Sequence, residues 1–278
     1  MKKIIAAFDG LRFSESTLEE AIRLAKQHQA HLVGVFLPEF TARGFVVYEA
    51  LVGQSGSGKE MFEELAKDDQ ATYHASVDTF ESACQENGLN YSIHRDKRSA
   101  LKELLHESVF ADLLVIDPGE TFSYLEESMP GWFVKSLLHE AHCPVWLAPV
   151  KRGMIRKLLF LYDGSPSSMQ AIKMFTYLFP EMSGKEVLVL SVKSATLNLH
   201  LPDNKLIQEW MKRHYKNVDY KVVQGDESQL VALCKEEGQD ILLVAGAYER
   251  SKLSTWLHPS LADELMRQLK APLFITHM

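Results

Sequence analysis

One sequence plan occurs twice in this chain, and it constrains the fold more than any other feature. Residues 4–10 read IIAAFDG and residues 158–164 read LLFLYDG, and a helical pattern that starts with serine follows each of them. An apolar run, a turn pair and a helical pattern in succession are typical of a strand, a turn and a helix. Asp163 lies 154 residues after Asp9 (163 − 9), so the sequence predicts a tandem duplication with functional sites at or near the two turns.

The remainder of each half alternates apolar runs with helical patterns. Further strands are predicted at 31–37, 91–94, 113–116 and 143–148, and at 187–192, 220–223, 241–245 and 272–276. Helices are predicted from 14 or 16 to 28 and at 59–87, 101–110, 131–141, 169–179, 206–215, 230–237 and 261–269. Apolar strands that alternate with helices predict parallel sheets covered on both faces. We therefore expect two α/β domains, 1–150 and 151–278.

The first half is longer than the second. At the first strands, equivalent residues of the two halves are 154 positions apart. At the fourth strands, Leu113 and Leu242 are only 129 positions apart (242 − 113). The first half is therefore 25 residues longer between these two points (154 − 129). Tyr91 and Tyr220 also differ by 129, which places an insertion at 38–60 that we expect to be mobile. Residues 53–59 fit the GxxxxGK pattern, but Glu60 follows where a phosphate-binding loop has serine or threonine, so a flexible loop is the better interpretation.

Composition excludes several classes of protein. The net charge of −7 and pI near 5.9 disfavour a nucleic-acid binder. No apolar run approaches the roughly 20 residues that span a bilayer, so no membrane role is predicted. Three scattered cysteines and no signal-peptide pattern favour the cytoplasm. His139 and His142 lack a marked third ligand, so no metal site is predicted, and no catalytic motif is present.

The chain resembles the universal stress protein family over both halves. The matching features are the strand that ends in Asp-Gly before a serine-rich helix start, the order of elements, and the long loop after strand four. The resemblance implies two doubly wound domains, each a five-stranded parallel sheet of order 3-2-1-4-5 with helices on both faces. It also implies an internal pseudo-dimer in contact along the fifth strands, 145–148 and 274–276, and leaves a homodimer open.

Nucleotide-binding members of that family carry Gly, two residues, Gly, nine residues, Gly-Ser or Gly-Thr after strand four. In the second half, Gly246 and Ser260 match, whereas Glu249 and Pro259 replace the other glycines. Proline donates no amide and a carboxylate repels a triphosphate, so the resemblance implies the fold more strongly than ATP binding.

The aligned positions of the first half depart further from the motif. They read Asp117, Glu120, Pro130 and Gly131. We expect the carboxylates of Asp117 and Glu120 to face the phosphates, so nucleotide binding in the first half should be weaker still. If either half holds ATP or another adenine nucleotide, the second half should, and weakly.

The candidate binding residues lie at the ends of the first and fourth strands of each half. They are Asp163, Gly164, Gly246, Ser260, Asp9 and Gly10. Each aspartate has two open interpretations, because the resemblance places it at an adenosine pocket while an Asp-Gly pair also forms turns by itself. Ser260 either contacts a phosphate or caps a helix that begins with Ser-x-x-Asp.

Together these features predict a non-catalytic universal stress protein, a binding or signalling module of the stress response with a degenerate nucleotide pocket and an unidentified protein partner. The alternative is an ATP-binding or ATP-hydrolysing enzyme of the same superfamily. Intact glycines at positions 249 and 259 would favour that alternative, and they are absent.

Overall fold

The structure is a computed structural model that describes residues 1–37, 58–95, 100–122, 129–148, 153–193, 200–246, 259–269 and 271–276. The chain divides into two compact units, Met1–Leu137 and Leu138–Met278. The boundary predicted at 150/151 stays a prediction. No helix in the described ranges is both long and apolar enough to span a membrane.

The first unit is built on a parallel sheet. Its strands are β1 (Lys3–Phe8), β2 (His31–Phe36), β3 (Tyr91–Arg95) and β4 (Leu113–Ile116), in the order β3-β2-β1-β4. Its helices are α1 (Glu15–His28), α2 (Gly58–Glu86) and α3 (Ala100–Ser108), and α4 (Trp132–Glu140) crosses the unit boundary. Ile5 of β1 lies between Val33 and Leu114 of its neighbours. These four strands have the predicted order 3-2-1-4, whereas the predicted fifth strand of this half falls in the second unit.

Helix α1 shows why the residues after the first turn become helical. The Ser14 hydroxyl accepts a hydrogen bond from the amide of Thr17, so it serves as the N-cap. The apolar face that includes Leu18 and Leu24 is buried against the sheet. The helix ends at Gln29, which has a left-handed backbone with φ of 49°.

The second unit contains a sheet of six strands. They are β5 (Val145–Leu147), β6 (Lys157–Leu161), β7 (Glu186–Lys193), β8 (Asn217–Gln224), β9 (Ile241–Gly246) and β10 (Leu273–Thr276), in the order β5-β10-β9-β6-β7-β8. Its helices are α5 (Pro166–Leu178), α6 (Asn204–His214), α7 (Glu227–Glu236) and α8 (Pro259–Gln268). The second half of the chain thus has the predicted order 3-2-1-4-5, and the tandem doubly wound fold class is confirmed.

Strand β5 joins this sheet antiparallel to β10. Phe274 lies opposite Trp146, and Ile275 lies opposite Val145. This is the pairing of fifth strands that the resemblance implied. The predicted pseudo-twofold relation between the two halves stays a prediction.

Much of the extra length of the first half is helix. Helix α2 has 29 residues and its counterpart α6 has 11, a difference of 18 (29 − 11). The predicted insertion at 38–60 therefore overlaps the start of a long helix. Residues 38–57, which carry most of the GxxxxGK stretch and the predicted mobility, lie outside the described residues.

Candidate ligand site at the strand ends

In the first unit, the carboxyl ends of β1 and β4 meet where the chain reverses direction across the sheet. In doubly wound sheets this is where ligands collect. Asp9 follows β1 directly and Asp117 follows β4 directly. The repeat places Asp163 and Gly246 at the corresponding ends of β6 and β9, which are also paired neighbours.

Asp9 is engaged by its own turn. Its carboxylate is buried, and Oδ1 accepts a hydrogen bond from the amide of Leu11 at 2.9 Å. Oδ2 lies 3.1 Å from Nε of Arg12, which forms an ion pair with it. The turn interpretation of Asp9 accounts for the first contact, and its role in binding a ligand stays a prediction.

Arg12 connects the β1–α1 turn to the segment after β4. Beyond the pair with Asp9, its Nη2 donates to Oγ1 of Thr121 at 2.8 Å and lies 3.9 Å from Oε1 of Glu120. A single guanidinium thus contacts groups on both sides of the switch point. The spacing of three between Asp9 and Arg12 is compatible with a local ion pair, but no motif of the sequence marks Arg12 as a site residue.

Asp117 stands at the first position of the family's glycine motif and directs its carboxylate to the start of α1. Oδ2 accepts hydrogen bonds from Oγ of Ser14 at 2.9 Å and from Oγ of Ser16 at 3.4 Å, and Oδ1 accepts from the amide of Gly119. A carboxylate is stabilised at a helix N-terminus, as a bound phosphate would be. In this unit, the Asp117 carboxylate lies beside the hydroxyls at the start of α1.

Glu120 is buried rather than directed outward. Its Oε1 accepts hydrogen bonds from the amides of Thr121 at 2.9 Å and Phe122 at 3.0 Å. Burial raises the pKa of Glu120 to about 7, and the Asp9 carboxylate adds to this, while the two amides and Arg12 oppose it. The expectation that Glu120 faces phosphates with a full negative charge is thereby corrected, because the group is only partly ionised near neutral pH.

Gly10 is explained by packing. A Cβ at this position would lie 2.2 Å from Cδ2 of Tyr73, a residue of α2, so only glycine fits under the ring. The Ser76 hydroxyl, one turn further along α2, donates to the carbonyl oxygen of Gly10 at 2.7 Å. Helix α2 therefore covers the β1 turn. No sequence signal links positions 10 and 73.

In the second unit, the turn after β6 repeats part of this arrangement. Oδ1 of Asp163 accepts a hydrogen bond from the amide of Ser165 at 2.8 Å, and Ser165 caps α5. Gly164 has a φ of 85°, and a Cβ on it would lie 2.5 Å from Cβ of Pro202. Asp163 is half-buried, so it is more open to solvent than Asp9. Burial raises the pKa of neighbouring Tyr162, with Asp203 and Asp163 adding to the effect.

Gly246 ends β9 and lies against α5. A Cβ here would lie 2.8 Å from the carbonyl carbon of Ser167, so the close approach of the helix requires glycine. Thus the structure brings together Asp163, Gly164 and Gly246. The side chain of Ser260 in α8 and the whole of Glu249 lie outside the description, so the capping and phosphate interpretations of Ser260 both stay predictions.

Possible metal ligands and the three cysteine thiols are two further groups of residues that could carry chemistry. No group of three or more His, Cys, Asp or Glu side chains able to hold a metal ion occurs in the described ranges. All three cysteines are buried, and none of them forms a disulfide. Burial raises the pKa of Cys84 and of Cys234 to about 12, which makes both of them poor nucleophiles.

No protein-family model and no curated protein matches this chain. Solved structures do match it. A universal stress protein from Archaeoglobus fulgidus superposes with a TM-score of 0.67 at 13% identity, over 99% of this chain and 98% of that chain. The chain has the fold of a tandem universal stress protein. A Pseudomonas aeruginosa protein assigned to the universal stress proteins agrees, with a TM-score of 0.59, 14% identity and coverage of 100% and 93%.

The universal stress protein fold also occurs in a protein of another kind. The cytoplasmic domain of a prokaryotic cation chloride cotransporter matches 99% of this chain and 94% of that chain, at 9% identity and a TM-score of 0.51. At such identities the similarity concerns the fold. Function has to be argued from the strand ends themselves.

Proposed function

We propose that this protein is a non-catalytic universal stress protein, a binding or signalling module whose first unit is closed to nucleotides. A weak pocket for an adenine nucleotide or adenosine-like ligand then remains in the second unit. One observation carries the proposal: in the first unit, the groups at the ends of β1 and β4 are bound to each other through Arg12 and Asp117.

A ligand that entered the first unit would have to break these contacts. It would displace the Asp117 carboxylate from the hydroxyls of Ser14 and Ser16, and it would meet the Tyr73 ring above Gly10. Hydrogen bonds to charged groups each stabilise by roughly 1.5–3 kcal/mol, so the loss of two of them cancels much of the affinity of a nucleotide.

The second unit differs at the same positions. Gly246 carries no carboxylate in the place of Asp117, and Asp163 is half-buried beside a glycine with a left-handed backbone. These features support the proposal that the pocket at the ends of β6 and β9 is open to an adenosine group. Glu249 and Pro259 oppose a triphosphate, so the favoured ligand is small or weakly charged.

Calorimetry with full-length protein tests whether the two units differ in ligand binding as proposed. Titration with MgATP and with adenosine is expected to show no submicromolar binding, and any weak binding is expected to disappear in Asp163→Ala. The matched variant Asp9→Ala should leave that binding unchanged. Submicromolar affinity for MgATP, or loss of binding in Asp9→Ala alone, contradicts the proposal.

The enzyme alternative has a separate readout. Phosphate release from MgATP that exceeds the buffer rate and is lost in Asp163→Ala would favour an ATP-hydrolysing enzyme. The proposed module acts instead in the cytoplasm through a protein partner, as an internal pseudo-dimer or a homodimer, without turnover. Sedimentation of the purified chain distinguishes these two assemblies, and mass spectrometry of co-purifying small molecules identifies the ligand.

A further inference from the structure

Helix α6 of the second unit has an outer face that combines exposed apolar side chains with cations. Ile207 and Met211 turn inward and are buried, so the opposite side of the helix is left to solvent. Leu206 on that side is 65% exposed, and Trp210 follows it by one helical turn. A large, exposed leucine beside a tryptophan is unusual on a purely solvated helix.

The aromatic part of this face continues onto α5. The Trp210 and His214 rings are stacked with centroids 4.0 Å apart, and Tyr177 of α5 meets His214 edge-on at 6.1 Å. Tyr177 is itself 58% exposed. Stacking holds the rings in place, so the surface is partly ordered before anything binds to it.

The charge of the face is opposite to that of the protein. Lys205, Lys212 and Arg213 are exposed, whereas the exposed carboxylates of the helix and its N-cap on this side are Glu209 and Asp203, which leaves a local charge of +1 (3 − 2) on a chain of net charge −7. Within the described ranges, no carboxylate lies within ion-pair distance of these three cations. Unpaired cations beside exposed apolar groups favour an acidic, amphipathic occupant.

We propose that this surface, the α6 face formed by Lys205, Leu206, Glu209, Trp210, Lys212 and Arg213 together with Tyr177 of α5, binds an acidic segment of a partner protein. Leu206, Glu209, Trp210, Lys212 and Arg213 line one open depression of the surface. A large apolar side chain of the segment packs against Leu206 and Trp210. Its carboxylates pair with Lys212 and Arg213. This proposal does not depend on the nucleotide pocket.

The test selects short random peptides on phage against the immobilised full-length chain. The expected peptides are rich in Asp and Glu and carry Leu, Phe or Trp. Their affinity should fall about tenfold or more in Lys212→Glu/Arg213→Glu and in Trp210→Ala, the size of loss seen at interface anchors. Because these side chains lie outside the core, thermal unfolding of the variants should match that of the wild type.

Matched controls separate this face from general charge effects. Lys221→Glu/Lys235→Glu makes the same change in net charge on β8 and α7, and Trp132→Ala removes an exposed tryptophan of the first unit. Both variants should bind the selected peptides like the wild type. Equal binding by the α6 variants, peptides without acidic residues, or no selected peptide overturns the proposal.

Two further probes decide between classes of partner. Phosphatidylserine vesicles and a single-stranded oligonucleotide are incubated with the wild type and with Lys212→Glu/Arg213→Glu. Neither probe should bind the wild type. Binding of either that the double variant abolishes would assign the face to a membrane or to a nucleic acid and overturn the peptide proposal.

Discussion

The ring of Tyr73 occupies the space that a side chain on Gly10 would need, with Cδ2 only 2.2 Å from the position of a Cβ. The second unit makes the same contact, because Pro202 lies 2.5 Å from the position of a Cβ on Gly164. The two pairs are equivalent in the repeat. Gly164 lies 154 positions after Gly10, the offset of the first strands, and Pro202 lies 129 positions after Tyr73, the offset found from the third strand onward. The two glycines of the Asp-Gly pairs are therefore explained by the close approach of the following segment as well as by the turn.

Gly10→Ala should destabilise the protein through overpacking. The new methyl group overlaps the Tyr73 ring, and such insertions into packed sites cost about 1–3 kcal/mol. Chemical denaturation of the wild type and the variant measures the difference.

A matched substitution and a double variant show whether Tyr73 is the cause. Gly184→Ala has no neighbour within 4 Å and should be nearly neutral. In the Tyr73→Ala background, Gly10→Ala should cost much less than in the wild type. Equal costs in both backgrounds would disprove the contact as the reason for the glycine.

Glu120 should give the protein a specific pH dependence. Its pKa is raised from 4.5 to about 7 in the folded state, so the folded state binds the proton more tightly than the unfolded state. The contribution of the protonated group is fully present below pH 4.5 and is lost as the pH rises through 7. A shift of this size corresponds to at most about 3 kcal/mol.

The variant Glu120→Gln isolates this effect, since it keeps an acceptor for the amides of Thr121 and Phe122 and cannot ionise. Relative to the wild type, the variant should gain stability between pH 5 and pH 8, as measured by urea denaturation at each pH. A difference between the two proteins that stays constant over this range argues against the raised pKa.

Arg12→Ala should destabilise the first unit modestly. It removes the ion pair with the buried Asp9 carboxylate and the hydrogen bond to Thr121, but the arginine is half-exposed, so a loss of about 1 kcal/mol is expected. Arg156→Ala, which breaks the exposed pair with Asp240, is the control and should cost less than about 0.5 kcal/mol. Thermal unfolding of both variants measures the two losses of stability. Equal losses would show that the contacts of Arg12 stabilise the protein no more than an exposed ion pair does.

The pairing of β5 with β10 predicts that fragments of the second half differ in solubility. A fragment that starts at residue 151 lacks β5 and exposes the edge of β10, whereas one that starts at residue 138 keeps the pair. Both fragments end in an unpaired strand edge, but β5 has only three residues against four in β10. Short edge strands resist association, so the shorter fragment, which lacks β5, should aggregate at lower concentration. Light scattering at increasing concentration measures this, and indistinguishable curves would show that β5 does not protect the edge.

The sequence predicted the elements well where local pattern determines them. Strand β4, predicted at 113–116, has those bounds. Strand β8 was predicted at 220–223 and runs from Asn217 to Gln224. Its burial alternates, so Asn217, Asp219 and Lys221 interrupt the apolar signal that marks buried strands.

The candidate site was predictable only in part. The repeat correctly located Asp9 and Asp163 at strand ends, because a strand followed by a turn is a local pattern. The contacts of Arg12 with Thr121 and of Tyr73 with Gly10 join residues far apart in sequence, so no local pattern indicates them. The burial of Glu120 likewise depends on the tertiary fold, which is why its charge was overestimated.

The antiparallel pair of β5 and β10 also has a consequence for folding during synthesis. Leu147 and Leu273 are 126 positions apart (273 − 147), so one edge of β5 stays unpaired until the ribosome has made the intervening chain and β10. At roughly 5–20 residues per second, that interval lasts about 6–25 seconds on the ribosome. For that period a nascent chain presents an unpaired β-edge, which is a site where it can associate with other chains.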